Sequence, residues 1–268
     1  MQNRFKNYLK NQEFSKHTKD AYMRSLKQFI SLFGEQFTKS KLLKYKKWLI
    51  QNYKPKTVNA RIAGINCFLK CIKREQWSLN VVKLQQKTFL ENVISEADYD
   101  FLKRKLKRCG NWQGYFIIRF LCATGVRVSE FCQFKVEHVR TGYFDIYGKG
   151  QKYRRIYIPA KLQREAVKWF EKTGMETGYI FKTENGTPFK PRMVVQTLKE
   201  LAKKYGINPA VMYPHSFRHR FAKNFIFKYK DIALLADLMG HESIETTRIY
   251  LRRTAFEQKD IVDKIVDW

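Results

Sequence analysis

The amino-acid sequence predicts a mainly α-helical protein with one small antiparallel β-sheet, divided into two domains. Apolar residues recur at helical spacing along most of the chain, which favours helices. One strand–turn–strand pattern occupies residues 143–158 and predicts the sheet. The helical periodicity lapses in a polar stretch containing Gln and Lys. This lapse indicates a linker over residues 83–92, between a domain at 1–82 and a domain at 93–268.

The first domain contains three predicted helices. Ser15 is positioned to cap the first of them, and Gly34 stops its apolar stripe. A shorter helix follows around Ser40–Gln51. Pro55 ends this helix, and Thr57 is the expected cap of a third, long helix with a buried apolar stripe.

The second domain is predicted to begin with a helix capped by Ser95, which has acidic residues in its first turn. Gly125 is expected to end the next helix, because glycine readily adopts the left-handed conformation that terminates helices. The remaining elements are, in order of the chain, that apolar helix Trp112–Ala123, a short helix Ser129–Phe134, strands Tyr143–Tyr147 and Tyr153–Ile158, and helical segments from Lys161 onward.

The charge balance points to an anionic partner. The 268 residues include 53 Lys and Arg against 24 Asp and Glu, a formal net charge of +29, and residues 1–90 hold 20 of these basic and 4 of these acidic residues, or +16. So many positive charges on about 90 residues repel one another unless an anionic partner offsets them, and nucleic acid is the favoured partner. An acidic membrane surface is the alternative, but the sequence has no lipidation motif and no clear basic amphipathic anchor. The candidate nucleic-acid contacts on polar helix faces include Lys16, Lys19, Arg24, Lys56 and Arg61.

Cysteine usage and hydropathy indicate the compartment. The five cysteines are an odd number without a C-x-x-C pair, so neither a disulfide framework nor a zinc site is predicted. No apolar run approaches the roughly 18–20 residues that span a bilayer. We therefore expect a soluble, cytoplasmic protein.

Four places put unusual polar residues beside apolar segments: Arg127 after the Gly125 turn, Lys149 in the hairpin turn, the run His215–Arg218, and His241 followed by Tyr250. Each has an ordinary structural interpretation when taken alone. Arg127 could pair with Glu130, Lys149 could be a turn lysine, and His215 could be a satisfied core histidine. Tyr250 could be an aromatic residue on a helix surface.

Other chemistries fit these residues poorly. His215 and His219 are four positions apart and could share a metal, but Ser216 stands where H-E-x-x-H needs Glu, and Arg218 and Arg220 would repel a dication. The sequence contains neither a G-x-S-x-G elbow nor a phosphate-binding G-x-x-x-x-G-K-[ST] loop.

Taken together, the polar positions resemble the active-site boxes of the tyrosine recombinases, or phage-integrase family. The order and spacing of the motifs agree with that family, and the helix that begins at Ser15 is similar to its helical, SAM-like core-binding domain. The strings that carry the resemblance are Ala123–Glu130, Tyr147–Gly150, His215–Ala222 and Leu238–Tyr250. The resemblance implies a two-domain DNA clamp with an integrase-type catalytic domain, similar to minimal Xer-like recombinases and small transposon integrases.

The chemistry of phosphodiester cleavage agrees with the roles that the resemblance implies. Arg127 and Arg218 would neutralise the phosphate, and His215 and His241 would add hydrogen bonds. Tyr250 would be the nucleophile that forms a 3′-phosphotyrosyl link, with His215 as a plausible acceptor of its proton. Lys149 resembles the family's general acid, and Glu130 is expected to anchor Arg127. Arg220 stands where the family commonly has Thr and could add a phosphate contact.

The expected partner is double-stranded DNA, with no metal, cofactor or ATP. In the resembling family a C-terminal helix, here about residues 256–268, docks on a neighbouring protomer and gives a dimer per site and a tetramer on two sites. The alternative is a helix that packs on its own domain. Integration of a mobile element, excision, inversion and chromosome-dimer resolution stay open, and so does the involvement of accessory proteins. A type IB topoisomerase and a non-catalytic DNA-binding protein on the same scaffold are the alternative functions.

Overall fold

The computed structural model is mostly helical, with one two-stranded antiparallel sheet among the residues it describes, and it confirms the predicted fold class. The chain divides into two compact units, Met1–Gln86 and Lys87–Trp268. The structure describes residues 1–83, 92–147, 153–241, 243–251 and 255–266, with only the backbone at 255–258 and 261.

The described part of unit 1 consists of helices α1 (Gln2–Lys10), α2 (Lys16–Phe33), α3 (Lys39–Asn52) and α4 (Pro55–Cys71), followed by a 3₁₀ turn at Glu75–Trp77. Ser15 caps α2 as predicted, since its Oγ accepts a hydrogen bond from the backbone N of Thr18 at 3.2 Å. Helix α1 was not predicted from the sequence, because Phe5 and Leu9 are its only buried residues and too few to give a periodic signal.

The prediction that Thr57 caps the third helix is wrong. Helix α4 already begins at Pro55, with Lys54 at the cap position. Proline suits the first helical position because its ring fixes φ near the helical value, and the N–H that it lacks has no helical partner there. Helices α2 and α4 pack against each other around Phe29, Leu26 and Ile65, which are fully buried. This packing leaves the basic polar faces of both helices to solvent.

Unit 2 contains ten further helices in order of the chain among its described residues: α5 (Glu96–Arg108), α6 (Trp112–Thr124), α7 (Val128–Phe131), α8 (Val136–Thr141), α9 (Ala160–Thr173), α10 (Pro191–Tyr205), α11 (Pro214–Tyr229), α12 (Ile232–Met239), α13 (Ile244–Arg248) and α14 (Ala255–Ile265). Strands β1 (Tyr143–Tyr147) and β2 (Tyr153–Tyr157) lie between α8 and α9, and 3₁₀ turns occur at Pro209–Val211 and Ile249–Leu251. Ser95 caps α5 as predicted, through a hydrogen bond of 3.0 Å from the backbone N of Asp98.

The region after α6 departs from the prediction. The short helix expected at Ser129–Phe134 ends at Phe131, because the chain leaves it to form an isolated β-bridge between Lys135 and Tyr179. Helix α8, which follows directly, was not predicted from the sequence. It is a single short helix with two buried residues, Val136 and Val139, so it carries little periodic signal.

The two strands pair in the register Phe144 opposite Ile156 and Ile146 opposite Arg154. Side chains alternate between the two faces of a strand, so these four residues share one face. Phe144 and Ile156 are buried in the core of unit 2, which fixes this face inward. Arg154 is therefore turned inward as well, although it is charged. Residues 148–152, between the two strands in the sequence, lie outside the described residues and include Lys149.

Helix α6 is central to unit 2 and is buried on most of its surface. It packs against α5, α9 and α11, and its Phe116 and Phe120 are almost fully buried. The contact with α11 places Arg218 and Phe221 beside Gly125 at the end of α6. Within the described parts of the chain, no helix combines the length and the hydrophobicity needed to span a membrane.

Candidate active site

Two glycine turns bring the ends of α6 and α12 close to α11. Gly125 ends α6 at φ 61°, and a Cβ at this position would lie 2.3 Å from Cδ1 of Phe221 in α11. Gly240 ends α12 at φ 60°. Glycine adopts this left-handed conformation without steric cost and leaves room for close backbone approach. The backbone carbonyls of both turns are therefore accessible to side chains from α11 and α7.

Arg127 follows the first turn and caps α7. Its guanidinium donates from Nη2 to the carbonyl oxygen of Gly240 at 2.8 Å and from Nη1 to Oε1 of Glu130 at 2.9 Å. The other oxygen of Glu130 accepts the backbone N–H of Arg127 at 2.7 Å and also binds Nη2 of Arg154. Glu130 therefore bridges two arginines. The side chain of Arg127 is 40% exposed, so it remains accessible to a ligand.

Arg218, the fifth residue of α11, is almost completely buried. Its Nη1 donates to the carbonyl oxygen of Gly125 at 2.6 Å, and its Nη2 donates to that of Met239 at 2.7 Å. Burial, together with the positive charge of Arg127, lowers the pKa of Arg218 to about 10. The guanidinium is still charged at neutral pH.

His241 follows the second glycine turn and contacts Arg218. Nη2 of Arg218 lies 3.0 Å from Nε2 of His241, and Nδ1 of His241 lies 2.7 Å from Oγ1 of Thr247. Because a guanidinium only donates, Nε2 of His241 accepts, and the ring proton lies on Nδ1. Burial and the nearby arginine charges lower the pKa of His241 to about 4, which agrees with a neutral ring. Both ring nitrogens are bonded within the protein.

Tyr250 lies in the 3₁₀ turn after α13 and is 5% exposed. Its ring packs in a small cluster with Ala222, Leu235 and Met239. The phenolic Oη is 3.2 Å from Nδ1 of His219, in the second turn of α11. Burial raises the pKa of Tyr250, while the charge of Arg218 acts in the opposite direction. The resting hydroxyl is therefore protonated at neutral pH.

Four of the six residues predicted to be catalytic lie close together. Arg127, Arg218 and His241 meet around the turn at Gly240, and the ring of Tyr250 stacks on that of His241 with 6.2 Å between centroids. His215 is exposed and makes no hydrogen bond to Tyr250 among the described residues, so the expectation that it accepts the tyrosine proton is not met in this geometry. Lys149 lies outside the described residues. Glu130 anchors Arg127 by the contacts that the sequence analysis anticipated.

Arg220 does not have the geometry of a DNA contact. It is 7% exposed, its guanidinium lies over the ring of Tyr99 at 5.1 Å, and its Nη1 donates to the carbonyl oxygen of Ile94 at 3.4 Å. These contacts make Arg220 a structural residue inside unit 2. The prediction of a phosphate contact here is wrong, because residue type alone does not reveal burial.

The other predicted DNA contacts lie in unit 1. Lys16, Arg24 and Lys56 are exposed, whereas Lys19 and Arg61 are half-buried. Lys56 and Arg61 are five positions apart on α4, about 140° around the helix axis, so they lie on different faces. The exposed residues Lys16 and Arg24 are both on α2.

A wide cavity of about 820 Å³ opens beside the site between β2 and α12. Its lining includes Arg127, Glu130, Arg154, Gly240 and His241. An anion that enters the cavity therefore meets the half-exposed guanidinium of Arg127. Arg154 adds a second positive charge, and its side chain is 11% exposed.

Sequence reasoning missed two residues of this site. Arg154 was missed because it is next to Arg155 in the same strand. Side chains alternate between the two faces of a strand, but this alternation alone does not tell which arginine faces inward. His219 was noticed for its four-residue spacing from His215 but was considered only as a metal ligand. The same spacing signals a shared helix face, which could have pointed to a role beside the tyrosine.

Comparisons with known proteins agree with this geometry. Residues 92–256 match the family model described as phage integrase family, and residues 1–79 match a phage integrase N-terminal SAM-like domain. The fold and the family match define a tyrosine-dependent DNA strand-transfer enzyme, one that cleaves and rejoins DNA through a phosphotyrosine intermediate. It belongs to the phage integrase family, the tyrosine recombinases.

Two curated relatives and two solved structures illustrate the similarity. The tyrosine recombinase XerA of Pyrococcus furiosus is 28% identical over 271 residues, covering 97% of this chain and 92% of the relative. A tyrosine recombinase of Agathobacter rectalis is 27% identical over 244 residues, with coverages of 82% and 79%. XerH in a post-cleavage complex with palindromic difH has a TM-score of 0.72 at 18% identity and coverages of 93% and 79%. The Tn1549 transposon integrase with transposon right end DNA has a TM-score of 0.71 at 17% identity, covering 98% of each chain. At these identities the two structures show a shared fold.

Proposed function

We propose that the protein performs site-specific recombination with Tyr250 as the nucleophile. Tyr250 Oη would attack the scissile phosphorus, so that an Oη–P bond forms and the P–O5′ bond breaks. The product is a 3′-phosphotyrosyl link and a free 5′-hydroxyl. The observation that carries this proposal is the buried Tyr250, whose ring stacks on His241 beside Arg218 and Arg127. The reverse attack by another 5′-hydroxyl would rejoin the strands.

The two arginines would stabilise the charge that develops on the non-bridging oxygens. Arg127 is half-exposed at the cavity, while Arg218 is buried behind hydrogen bonds to two backbone carbonyls. Donors fixed in advance stabilise a transition state without reorganisation, and losing one typically lowers the rate about 10²–10³-fold. His241 would position Arg218, because it accepts a hydrogen bond from this guanidinium.

Two further roles rest on the resemblance of the motifs. Lys149, between β1 and β2 in the sequence, would protonate the leaving O5′. His215 would contact the phosphate, and its exposure leaves it accessible to a ligand. Neither role needs contact between these residues and Tyr250.

We further propose that unit 1 binds double-stranded DNA. The exposed side chains of Lys16, Arg24 and Lys56 and the charge of +16 on residues 1–90 support this role. Phosphate contacts release counterions, so binding should weaken steeply with salt. Action in the cytoplasm is supported by the relatives from Pyrococcus furiosus and Agathobacter rectalis, whose cells have no nucleus around their DNA.

The C-terminal helix is the proposed assembly element. In α14 and just after it, Val262, Ile265 and Val266 are 54%, 63% and 42% exposed. Exposed apolar side chains at helical spacing favour a partner surface. We propose that α14 docks on a neighbouring protomer to give a dimer on each DNA site and a tetramer on two. Truncation after Thr254 tests this proposal, because recombination that survived unchanged would contradict it.

Trapping of the covalent complex tests the proposed function. The substrates are nicked duplexes from the DNA that flanks the reading frame, and the modified peptide is mapped by mass spectrometry. A 3′-phosphotyrosyl adduct at Tyr250 is expected, and Tyr250→Phe and Arg127→Ala should abolish it while both variants still bind DNA. Absence of an adduct with wild-type protein on these duplexes and on a random-sequence library would contradict the proposal. Relaxation of any supercoiled plasmid by the monomer would instead support a topoisomerase.

A further inference from the structure

We propose that His219 accepts the phenolic proton of Tyr250 when this tyrosine attacks the scissile phosphate. The proposal rests on the function proposed above and adds a catalytic residue to it. His219 lies in α11, one residue after Arg218 and one helical turn after His215. Its Nδ1 is 3.2 Å from Oη of Tyr250, and the two ring centroids are 5.5 Å apart.

The other groups near the tyrosine are unsuited to take its proton. Arg218 is cationic and has no acceptor atom. His241 uses Nε2 to accept from Arg218, and its Nδ1 bonds Thr247. His215 makes no hydrogen bond to Tyr250 among the described residues, and its ring centroid is 6.3 Å from that of His219. His219 therefore combines an acceptor nitrogen with direct contact to the reacting oxygen.

The protonation state of His219 supports this role. Burial and the positive charges of His215 and Arg218 lower the pKa of His219 to about 4, so the ring is neutral at neutral pH. A neutral ring carries one unprotonated nitrogen. With the ring proton on Nε2, Nδ1 accepts the hydrogen bond from Tyr250. A bound phosphate brings a negative charge close to Arg218 and Arg127, and it would offset the charges that hold this pKa down.

The step balances in atoms and charge. The Oη–P bond forms as the phenolic proton moves from Oη to Nδ1 of His219. The P–O5′ bond breaks, and O5′ takes a separate proton from a general acid, the role proposed for Lys149. The imidazolium of His219 then lies beside a phosphodiester anion. In the rejoining step the 5′-hydroxyl gives its proton back to the group that acted as general acid and attacks phosphorus. The Oη–P bond breaks, and His219 returns its proton to Oη of Tyr250.

The test measures single-turnover cleavage at saturating protein, on the duplex that gives the wild-type Tyr250 adduct. His219→Asn keeps an acceptor oxygen close to the position of Nδ1 but cannot carry the proton. A positioned proton acceptor typically contributes about 10²–10⁴-fold, so His219→Asn should slow cleavage by about 10²-fold or more with DNA affinity retained. His138→Asn is the matched control, because His138 caps α8 far along the chain from Tyr250 and its substitution should leave the rate unchanged.

A second substrate locates the proton transfer. Replacing the bridging 5′-oxygen by sulfur gives a leaving group that departs as a thiolate and needs no proton. If His219 acts on the nucleophile, the variant stays slow on the sulfur substrate. Rescue by sulfur would overturn the proposal, because it would move the role to the leaving group. Cleavage by His219→Asn within about threefold of wild type would overturn it as well.

The outcomes separate this inference from the proposed function. A wild-type adduct on any residue other than Tyr250 would remove the proposed function itself. A normal Tyr250 adduct with full activity in His219→Asn would remove only the role of His219. If His219→Asn shows a changed circular dichroism spectrum, His219→Gln is measured in its place, because it carries a longer amide that also accepts.

Discussion

Replacing Glu130 by Gln is the sharpest test of how the site is held together. Glu130 is 10% exposed and binds both Arg127 and Arg154. Gln keeps the shape of Glu, but its amide N–H₂ would face an arginine N–H, donor against donor. Breaking a buried ion pair from one side typically costs about 3–5 kcal/mol. The side chain of Arg127 is 40% exposed, so its hydration offsets part of this cost. The side chain of Arg154 is only 11% exposed, so water offsets less of the cost there. We therefore expect a loss of about 2–4 kcal/mol in the free energy of unfolding.

The matched control is Asp145→Asn. Asp145 also pairs with an arginine, Arg155, through two hydrogen bonds of 2.8 and 2.9 Å, but these side chains are 27% and 37% exposed. An exposed pair contributes about 0–1 kcal/mol, so this variant should be almost as stable as wild type. Both variants are measured by urea unfolding followed by circular dichroism.

The same substitution should also slow catalysis, because Glu130 fixes Arg127 at the cavity. Single-turnover cleavage by Glu130→Gln should fall about 10²–10³-fold, the loss expected when a fixed donor is no longer oriented. Two results would refute the reasoning. One is equal stability losses in Glu130→Gln and Asp145→Asn. The other is a full cleavage rate in Glu130→Gln despite the lost stability.

Three further results are expected. The free energy of unfolding should fall as pH drops from about 6.5 to 4, because His219 and His241 have a folded pKa of about 4 and the unfolded chain binds their protons at higher pH. The loss is about 3 kcal/mol for His219 and less for the more exposed His241. Urea unfolding measured at a series of pH values should show this loss below pH ~6.5 and no change in stability from these histidines above pH ~7. Gly240→Ala should cost more stability than Gly206→Ala, since both positions have positive φ but only the Cβ at 240 would lie 2.6 Å from Cδ of Arg154. DNA binding should weaken with salt at a log–log slope near −9 for about ten phosphate contacts, and a slope shallower than about −3 would contradict an extended surface.

The helices and strands with strong local signals were predictable from sequence. Ser15 and Ser95 cap their helices as expected, and Gly125 ends α6, because these effects act within one helical turn. Helices α1 and α8 were missed because each has only two buried residues. A local sequence pattern predicts a helix or strand only when the element is long enough for its apolar residues to recur at the helical or strand period.

The residues proposed as catalytic could be named from the sequence, but which of them contact one another could not. Helical spacing puts His215 and His219 on one face of α11, and only the packing of the 3₁₀ turn at Ile249–Leu251 against α11 decides which one meets Tyr250. The burial of Arg220 depends in the same way on the distant residues Tyr99 and Ile94. Such contacts join positions more than thirty residues apart, beyond the reach of a local pattern.

The surroundings of Arg218 explain how a buried arginine keeps its charge for a substrate. Its two terminal nitrogens bind carbonyl oxygens at the C-terminal ends of α6 and α12, where each helix dipole places partial negative charge. A carboxylate in the same place would hold the guanidinium equally well but would cancel its charge and compete with phosphate. Dipoles orient the arginine without neutralising it. The positive charge of Arg218 is therefore not neutralised by a counter-charge until an anion enters the site.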